Sequence, residues 1–297
     1  GSMAHALADG DPGKDAAIAT PTLGGRQFWA DRVVTADGWR VQENVVTGHF
    51  RLLDGGDRRL AWGDRTHCLA ELARHNPGAG AARQGRRVVV LVHGLARSKA
   101  AFDRLAPRLR DAGYEALAIT YPSTRRSLAD HAAQVNGVLD ALPGTGRVTF
   151  VTHSMGALVV RQALDRPAPW RDRFAVGGLV MAGPPSRGAA AAGALGDWDL
   201  YRVLAGPSGQ ALVPDAATAV PLPRVRHCII AGGDGGEGFN PWLAGDDDGI
   251  VRVDEARLPG SDDFLRVNAI HALLINHPDT WAALRRFLDG GRCNGMG

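Results

Sequence analysis

Val148-Thr149-Phe150-Val151-Thr152-His153-Ser154-Met155-Gly156 decides the fold. β-formers run up to Thr152, three residues turn the chain, and an apolar helical stretch, Ala157-Leu158-Val159-Val160-Arg161-Gln162-Ala163-Leu164, begins at once. A strand that feeds a helix through so short a turn pushes the side chain at its apex outward. That apex is Ser154. A serine hydroxyl is a poor nucleophile near neutral pH unless a base stands beside it and oxyanion donors surround it.

Outward from this stretch the chain alternates strands and helices. Val88-Val89-Val90-Leu91-Val92 is apolar throughout, as a strand buried on both faces must be. Phe102, Leu105 and Leu109 have helical spacing and predict a helix over 101–112, ended by Gly113. A strand over 114–119 and a helix over 128–142, closed by Pro143-Gly144, come next. Further strands are expected over 176–182, 225–231 and 264–270, and a last helix over 280–288. Such alternation predicts a mainly parallel central sheet with helices on both faces, an α/β fold. Ligands on such sheets sit at the carboxyl ends of the strands. Ser154, His93-Gly94, Gly183-Pro184-Pro185 and His271 all fall there.

Upstream the texture differs. Residues 4–25 are rich in Ala, Gly, Asp, Pro and Thr without periodicity and read as a tail. Val33-Val34, Trp39-Arg40-Val41, Val45-Val46 and His49-Phe50-Arg51-Leu52, punctuated by Asp37-Gly38 and Asp54-Gly55-Gly56-Asp57, read as strands and hairpins. A short helix over 69–73 and a loop over 77–87 complete the region. The expected organisation is a flexible tail over 1–25 and a single α/β domain over 26–290. That domain carries a strand-rich extension at 26–75 and an excursion at 184–224.

Composition narrows the function. The chain has 297 residues, 45% of them hydrophobic, enough for a sizeable core. Its net charge is only +3, and its basic residues are arginines apart from Lys14 and Lys99. These arginines are scattered and not interleaved with aromatics, so nucleic acid is not an expected partner. Cys68, Cys228 and Cys293 are too few and too far apart for a zinc site. An odd count leaves at least one free thiol. The cysteines are expected to be buried and incidental, with one disulfide left open. No stretch is long and apolar enough for a membrane span. Gly1-Ser2-Met3 has the look of residues left by expression. Ala4-His5-Ala6 fits either an ordinary start or the remnant of a removed leader, so cytoplasm and periplasm or secretion both stay open.

A serine nucleophile needs a histidine base and a carboxylate to hold that base in its tautomer. His271, just past the last expected strand, is the candidate base. His277, before Pro278, reads as shaping the entry to the last helix. The acid is sought between the 225–231 strand and His271, where Asp234, Asp246, Asp247 and Asp248 lie in loops. Asp248, in the turn Asp248-Gly249-Ile250-Val251, is preferred. Asp234 is the alternative because it follows its strand more directly. Calcium at the aspartate triplet is a weaker reading, since no other ligand can be named. The backbone N–H of Met155, after the nucleophile, and that of Leu95, in the loop after Val92, are the candidate oxyanion donors. His93 and His153 read as bracing residues.

Leu91-Val92-His93-Gly94-Leu95, Thr152-His153-Ser154-Met155-Gly156, Gly183-Pro184-Pro185-Ser186-Arg187-Gly188 and Asp248-Gly249-Ile250-Val251 through His271 together resemble the α/β-hydrolase superfamily. Within it the chain is similar to the small bacterial lipases and carboxylesterases. The resemblance covers about 86–288. It departs from the usual pattern where Thr152 replaces the first glycine of G-x-S-x-G. It implies a Ser154–His271–Asp248 triad, an oxyanion hole at Leu95 and Met155, and no metal or organic cofactor. The implied partner is a small-molecule or lipid ester. It also implies that 184–224 is a small cap between the sixth and seventh strands of the family's order. Trp198, Leu200, Tyr201, Leu204, Leu212, Val213 and Leu222 could cover an acyl pocket there. The cap shows no long amphipathic lid, which favours short-to-medium acyl esters. An amidase, thioesterase or acyltransferase would use the same groups. A non-catalytic binding protein on this scaffold would have no need of all three.

Overall fold

The computed structural model describes residues 25–191, 209–212 and 214–295. Among the described residues, ten strands form two sheets. In the first, β1 (Trp29–Val34), β2 (Arg40–Asn44), β3 (Phe50–Leu53) and β4 (Arg59–Gly63) make an antiparallel meander in chain order. The turn at Asp37-Gly38 closes the first hairpin, with Gly38 at φ +85°. Helix α1 (Arg65–His75) packs on this sheet around Val41, Leu52, Ala61, Cys68 and Leu72. It is longer than the expected helix because Asp64 caps it, accepting the His67 amide at 2.7 Å.

The second sheet contains β5 (Arg86–Val92), β6 (Glu115–Ile119), β7 (Gly146–His153), β8 (Phe174–Ala182), β9 (His227–Gly232) and β10 (Phe264–Val267). All are parallel, in the order β6-β5-β7-β8-β9-β10. The β5 side chains alternate between two cores. Val88, Val90 and Val92 join the layer under α3 (Leu128–Asp140) and α4 (Gly156–Leu164). Val89 and Leu91 join the layer under α2 (Leu105–Asp111) and α5 (Pro278–Gly290). An α/β sheet buried on both faces is the arrangement that an all-apolar strand requires.

Three further expectations are adjusted. The helix expected over 101–112 breaks into a 3₁₀ turn, Lys99–Phe102, and α2. Pro107 has no N–H to give a preceding turn, so it is tolerated only near a helix start. The strand expected over 264–270 stops at Val267, where the Ala269 amide turns back to the Val267 carbonyl at 2.9 Å. His271 therefore stands clear of the sheet. The cysteines are not merely incidental: Cys228 on β9 is bonded to Cys293 beyond α5, and only Cys68 is free.

The sheet positions the site by its order. The chain passes from β5 outward to β6 and then returns to the other side of β5 as β7. A crevice opens at the carboxyl ends of strands flanking such a reversal. The loops after β5 and β7 carry Gly94 and Ser154. Among the described residues no helix is long and apolar enough to cross a membrane.

Candidate active site

Ser154 sits between β7 and α4 at φ +56°, a conformation that an L-residue adopts only under constraint. Two features impose it. The Ser154 amide donates to the Ala182 carbonyl at 2.9 Å, tying the turn to β8. Gly156 lets α4 start against β5, where a Cβ would lie 2.4 Å from the Val92 carbonyl oxygen. Thr152, in place of the usual small residue, is fully buried, and its Oγ1 has no hydrogen-bond partner among the described residues.

The loop after β5 runs against this turn. A Cβ on Gly94 would lie 2.9 Å from Ser154 Cβ, so the loop approaches the serine as closely as glycine permits. His93 is buried, stacked on Tyr121, and donates through Nδ1 to the Gly94 carbonyl at 2.7 Å. Its Nε2 accepts the Tyr121 amide at 3.3 Å, and burial pushes its pKa down to about 3, so it is a neutral brace. Among the described residues, neither the Leu95 nor the Met155 amide meets a protein acceptor.

Asp248 and His271 are brought together. His271 Nδ1 donates to Asp248 Oδ2 at 2.6 Å, and the His271 amide donates to the Asp248 carbonyl at 2.8 Å. The other carboxylate oxygen, Oδ1, accepts the Ile250 and Val251 amides at 3.0 and 2.7 Å. Both residues are buried, Asp248 almost completely. His153 supports the pair from below. Its Nε2–H donates to the His271 carbonyl at 2.9 Å, and the two rings lie 4.8 Å apart. Burial, then the neighbouring His271, lowers the His153 pKa to about 3. Gly183 closes the group from the end of β8: a Cβ there would stand 3.1 Å from the His271 ring. No hydrogen bond joins Ser154 to His271 among the described residues, and such contacts are often long before substrate binds.

The neighbouring aspartates have other partners. Asp234 is exposed and accepts the Gly236 and Gly238 amides, contacts that hold its carboxyl below the usual range. Asp246 accepts the Asp234 and Gly235 amides, and Asp247 those of Asn240 and Gly249. The triplet thus diverges into three loops, and its oxygens do not gather as a calcium site would need. The one metal-like cluster among the described residues is Cys228, Asp263 and Cys293. It is the disulfide, with Asp263 accepting the Cys293 and Asn294 amides. His277 caps α5, its Nδ1 accepting the Asp279 amide.

The expected cap is described only at its ends. Trp198, Leu200, Tyr201, Leu204 and Val213 lie outside the described residues. Leu212 is half-buried against the core and Leu222 is exposed. Sequence reasoning missed a set of buried polar side chains behind the Gly94 loop, Gln27 and Ser123 among them. Their contacts span 96 residues of chain, and no local pattern announces them.

The comparisons agree with this architecture. Residues 89–290 match the model of the Alpha/beta hydrolase family. The mature form of the Bacillus licheniformis lipase BlEst2 has a TM-score of 0.55 at 18% identity, covering 71% of this chain and 94% of that one. Its propeptide form has a TM-score of 0.54 at 20% identity, covering 73% and 53%. A metagenomic carboxyl esterase, MGS0156, is 23% identical with a TM-score of 0.47, covering 64% and 66%. At these identities the likeness is one of fold. No curated protein matches the chain. A match over most of the chain, on a sheet with this order and an elbow at its switch point, has one consequence: the chain belongs to the alpha/beta hydrolase family.

Proposed function

We propose that the protein is a serine carboxylester hydrolase acting through an acyl-enzyme on short-to-medium acyl esters. One observation carries the reading: a buried His271–Asp248 pair, closed at 2.6 Å, packs against Gly183 at the end of β8, next to Ala182, whose carbonyl accepts the amide of Ser154, a serine held at positive φ. Asp248, fixed by two backbone amides, keeps the His271 proton on Nδ1 and leaves Nε2 free to act as base. In this reading His271 takes the Ser154 proton as the hydroxyl oxygen attacks the ester carbonyl. The Leu95 and Met155 amides receive the developing oxyanion, each worth roughly 3 kcal/mol in the transition state. His271 then protonates the leaving alcohol, and water releases the acid by the reverse steps. His93 and His153 are buried and neutral, and both are engaged as braces by backbone groups.

The test is hydrolysis of p-nitrophenyl esters from acetyl to palmitoyl by wild type and Ser154→Ala. Turnover with an optimum at short or medium chains, abolished in the variant, is the expected result. Turnover surviving in Ser154→Ala overturns the assignment of the nucleophile. A folded wild type inert on every ester moves the activity to amides, thioesters or acyl transfer.

A further inference from the structure

The N-terminal extension, a short turn (Gly25–Phe28) followed by the four-stranded sheet, lies outside the residues matched to the family, yet its turn reaches the candidate oxyanion loop. Gln27, in the turn before β1, is buried. Its Nε2 donates to the Arg97 carbonyl at 3.2 Å. Its Oε1 accepts the Ser123 hydroxyl at 3.3 Å, the Thr124 amide at 3.2 Å and the Thr124 hydroxyl at 3.0 Å. The same Ser123 oxygen, fully buried, accepts the Ala96 amide at 2.8 Å. Ala96 is at φ +60°, a second non-glycine residue beside the site held in the left-handed region.

These contacts bear on Leu95 by simple geometry. In a trans peptide the carbonyl oxygen and the amide hydrogen point in opposite directions. The Gly94 carbonyl is held by His93 Nδ1 at 2.7 Å and by the Arg97 amide at 3.3 Å, and so the Leu95 N–H is aimed the other way. The next peptide is fixed by Ser123 on the Ala96 amide, and the one after Arg97 by Gln27 on its carbonyl. His93 comes from the hydrolase sheet, whereas Gln27 comes from the extension. Remove Gln27 and the Ser123 hydroxyl loses its acceptor, while the Arg97 carbonyl loses its side-chain donor.

We propose that Gln27 is a positioning residue for turnover, fixing through Ser123 and Arg97 the loop that presents the Leu95 amide to the oxyanion. The turn that leads into the N-terminal sheet is then part of the machinery that positions the oxyanion loop and not an appendage. The proposal rests on the serine ester hydrolase reading above.

The test compares wild type, Gln27→Ala, Gln27→Glu and Ser123→Ala on p-nitrophenyl butyrate, with rates expressed per active site titrated by a p-nitrophenyl phosphonate. Losing one oxyanion donor costs roughly 10²–10³ in kcat, and loosening one should cost about tenfold or more. Gln27→Ala should therefore lose at least about tenfold in kcat with KM within about twofold. Its affinity for a trifluoromethyl ketone, which forms the oxyanion adduct, should fall by the same factor. Ser123→Ala should behave alike, and the double variant should be little worse than either single, because both act on one loop. Gln27→Glu keeps the shape and the acceptor but loses the donor to Arg97, so it carries the test if Gln27→Ala does not fold. A purely structural Gln27 would lower melting temperature and titratable sites but leave kcat per site and ketone affinity unchanged, and that result overturns the proposal. A wild type that neither turns over ester nor titrates overturns the parent reading and the proposal with it. An active wild type with unaffected Gln27 variants overturns the proposal alone.

Discussion

Asp248 has its two carboxylate oxygens committed to different tasks, and this separates it from every other aspartate nearby. Oδ1 is fixed by the Ile250 and Val251 amides, so Oδ2 meets His271 from a rigid base. Asparagine at 248 would keep the acceptor toward the two amides and turn its NH₂ toward His271 Nδ1. The imidazole would then have to accept there, placing its proton on the nitrogen that should act as base. Asp248→Asn should lower kcat about 10³–10⁴-fold on a p-nitrophenyl ester with little change in KM. Asp234→Asn should stay within about twofold, since the Asp234 carboxylate is exposed and accepts the Gly236 and Gly238 amides of its own loop. A kcat for Asp248→Asn within tenfold of wild type would return the acid role to another group. Ser154 and His271 could be proposed from sequence because each follows an apolar run, where periodicity stops and a short turn begins, whereas Asp248 stands in an acidic loop with Asp234, Asp246 and Asp247 as rivals. What sequence could not reveal is that His153 holds the candidate base His271 by its main-chain carbonyl, because a side chain's partner 118 residues away leaves no local pattern.

At the scale of elements, the elbow is a packing problem as much as a catalytic one. α4 begins so close to β5 that a Cβ on Gly156 would lie 2.4 Å from the Val92 oxygen and 2.8 Å from the His93 oxygen. Both are backbone atoms at the end of an interior strand, so neither can yield cheaply. Gly156→Ala should destabilise the fold by about 1–3 kcal/mol in urea unfolding and displace Ser154 along with the helix start. Unchanged stability and turnover would show that α4 can shift without disturbing the turn. The parallel strands and long helices were readable because their apolar residues repeat with the period of the element. The seating of the N-terminal sheet was not. In β2, Val41 faces the small apolar core, while Arg40, Gln42 and Asn44 alternate with it and read as a solvated face. They are buried instead. Asp31 donates its amide to the Thr120 carbonyl and accepts the Thr120 amide on Oδ2, Arg40 reaches the Ala118 carbonyl, and Gln134 bonds the Asp31 and Thr120 carbonyls. A face buried by hydrogen bonding to an edge strand has no hydrophobic signature, so pattern alone assigns it to water.

The whole molecule depends on groups that resist protonation and on a covalent closure. His93, His131 and His153 are buried with pKa values lowered to about 3, about 4 and about 3, burial being the first cause in each. Unfolded, each would titrate near 6.5. Below that pH the unfolded chain binds protons that the folded chain does not, so stability must fall as pH falls, until the folded values are reached. At pH 5 the difference is about 1.5 pH units, or about 2 kcal/mol for each histidine. His153→Gln keeps a donor for the His271 carbonyl and removes one titrating group. Its stability should fall less between pH 7 and pH 5 than that of wild type, by about 2 kcal/mol in urea unfolding. Equal losses would mean that His153 is protonated in the folded state. The disulfide acts independently of pH over that range. Cys228 and Cys293 are 65 residues apart, and the closed loop contains both Asp248 and His271. Restricting the unfolded chain over such a loop is worth about 4 kcal/mol. The Cys228→Ser, Cys293→Ser pair should therefore unfold at lower urea by that amount, and wild type treated with a phosphine reductant under unfolding conditions should match it. Because β10 and the His271 turn lie within the loop, thermal inactivation of ester turnover should follow the same shift. A variant as stable as wild type, with no further loss on adding reductant, would mean that the two thiols do not pair in the folded protein.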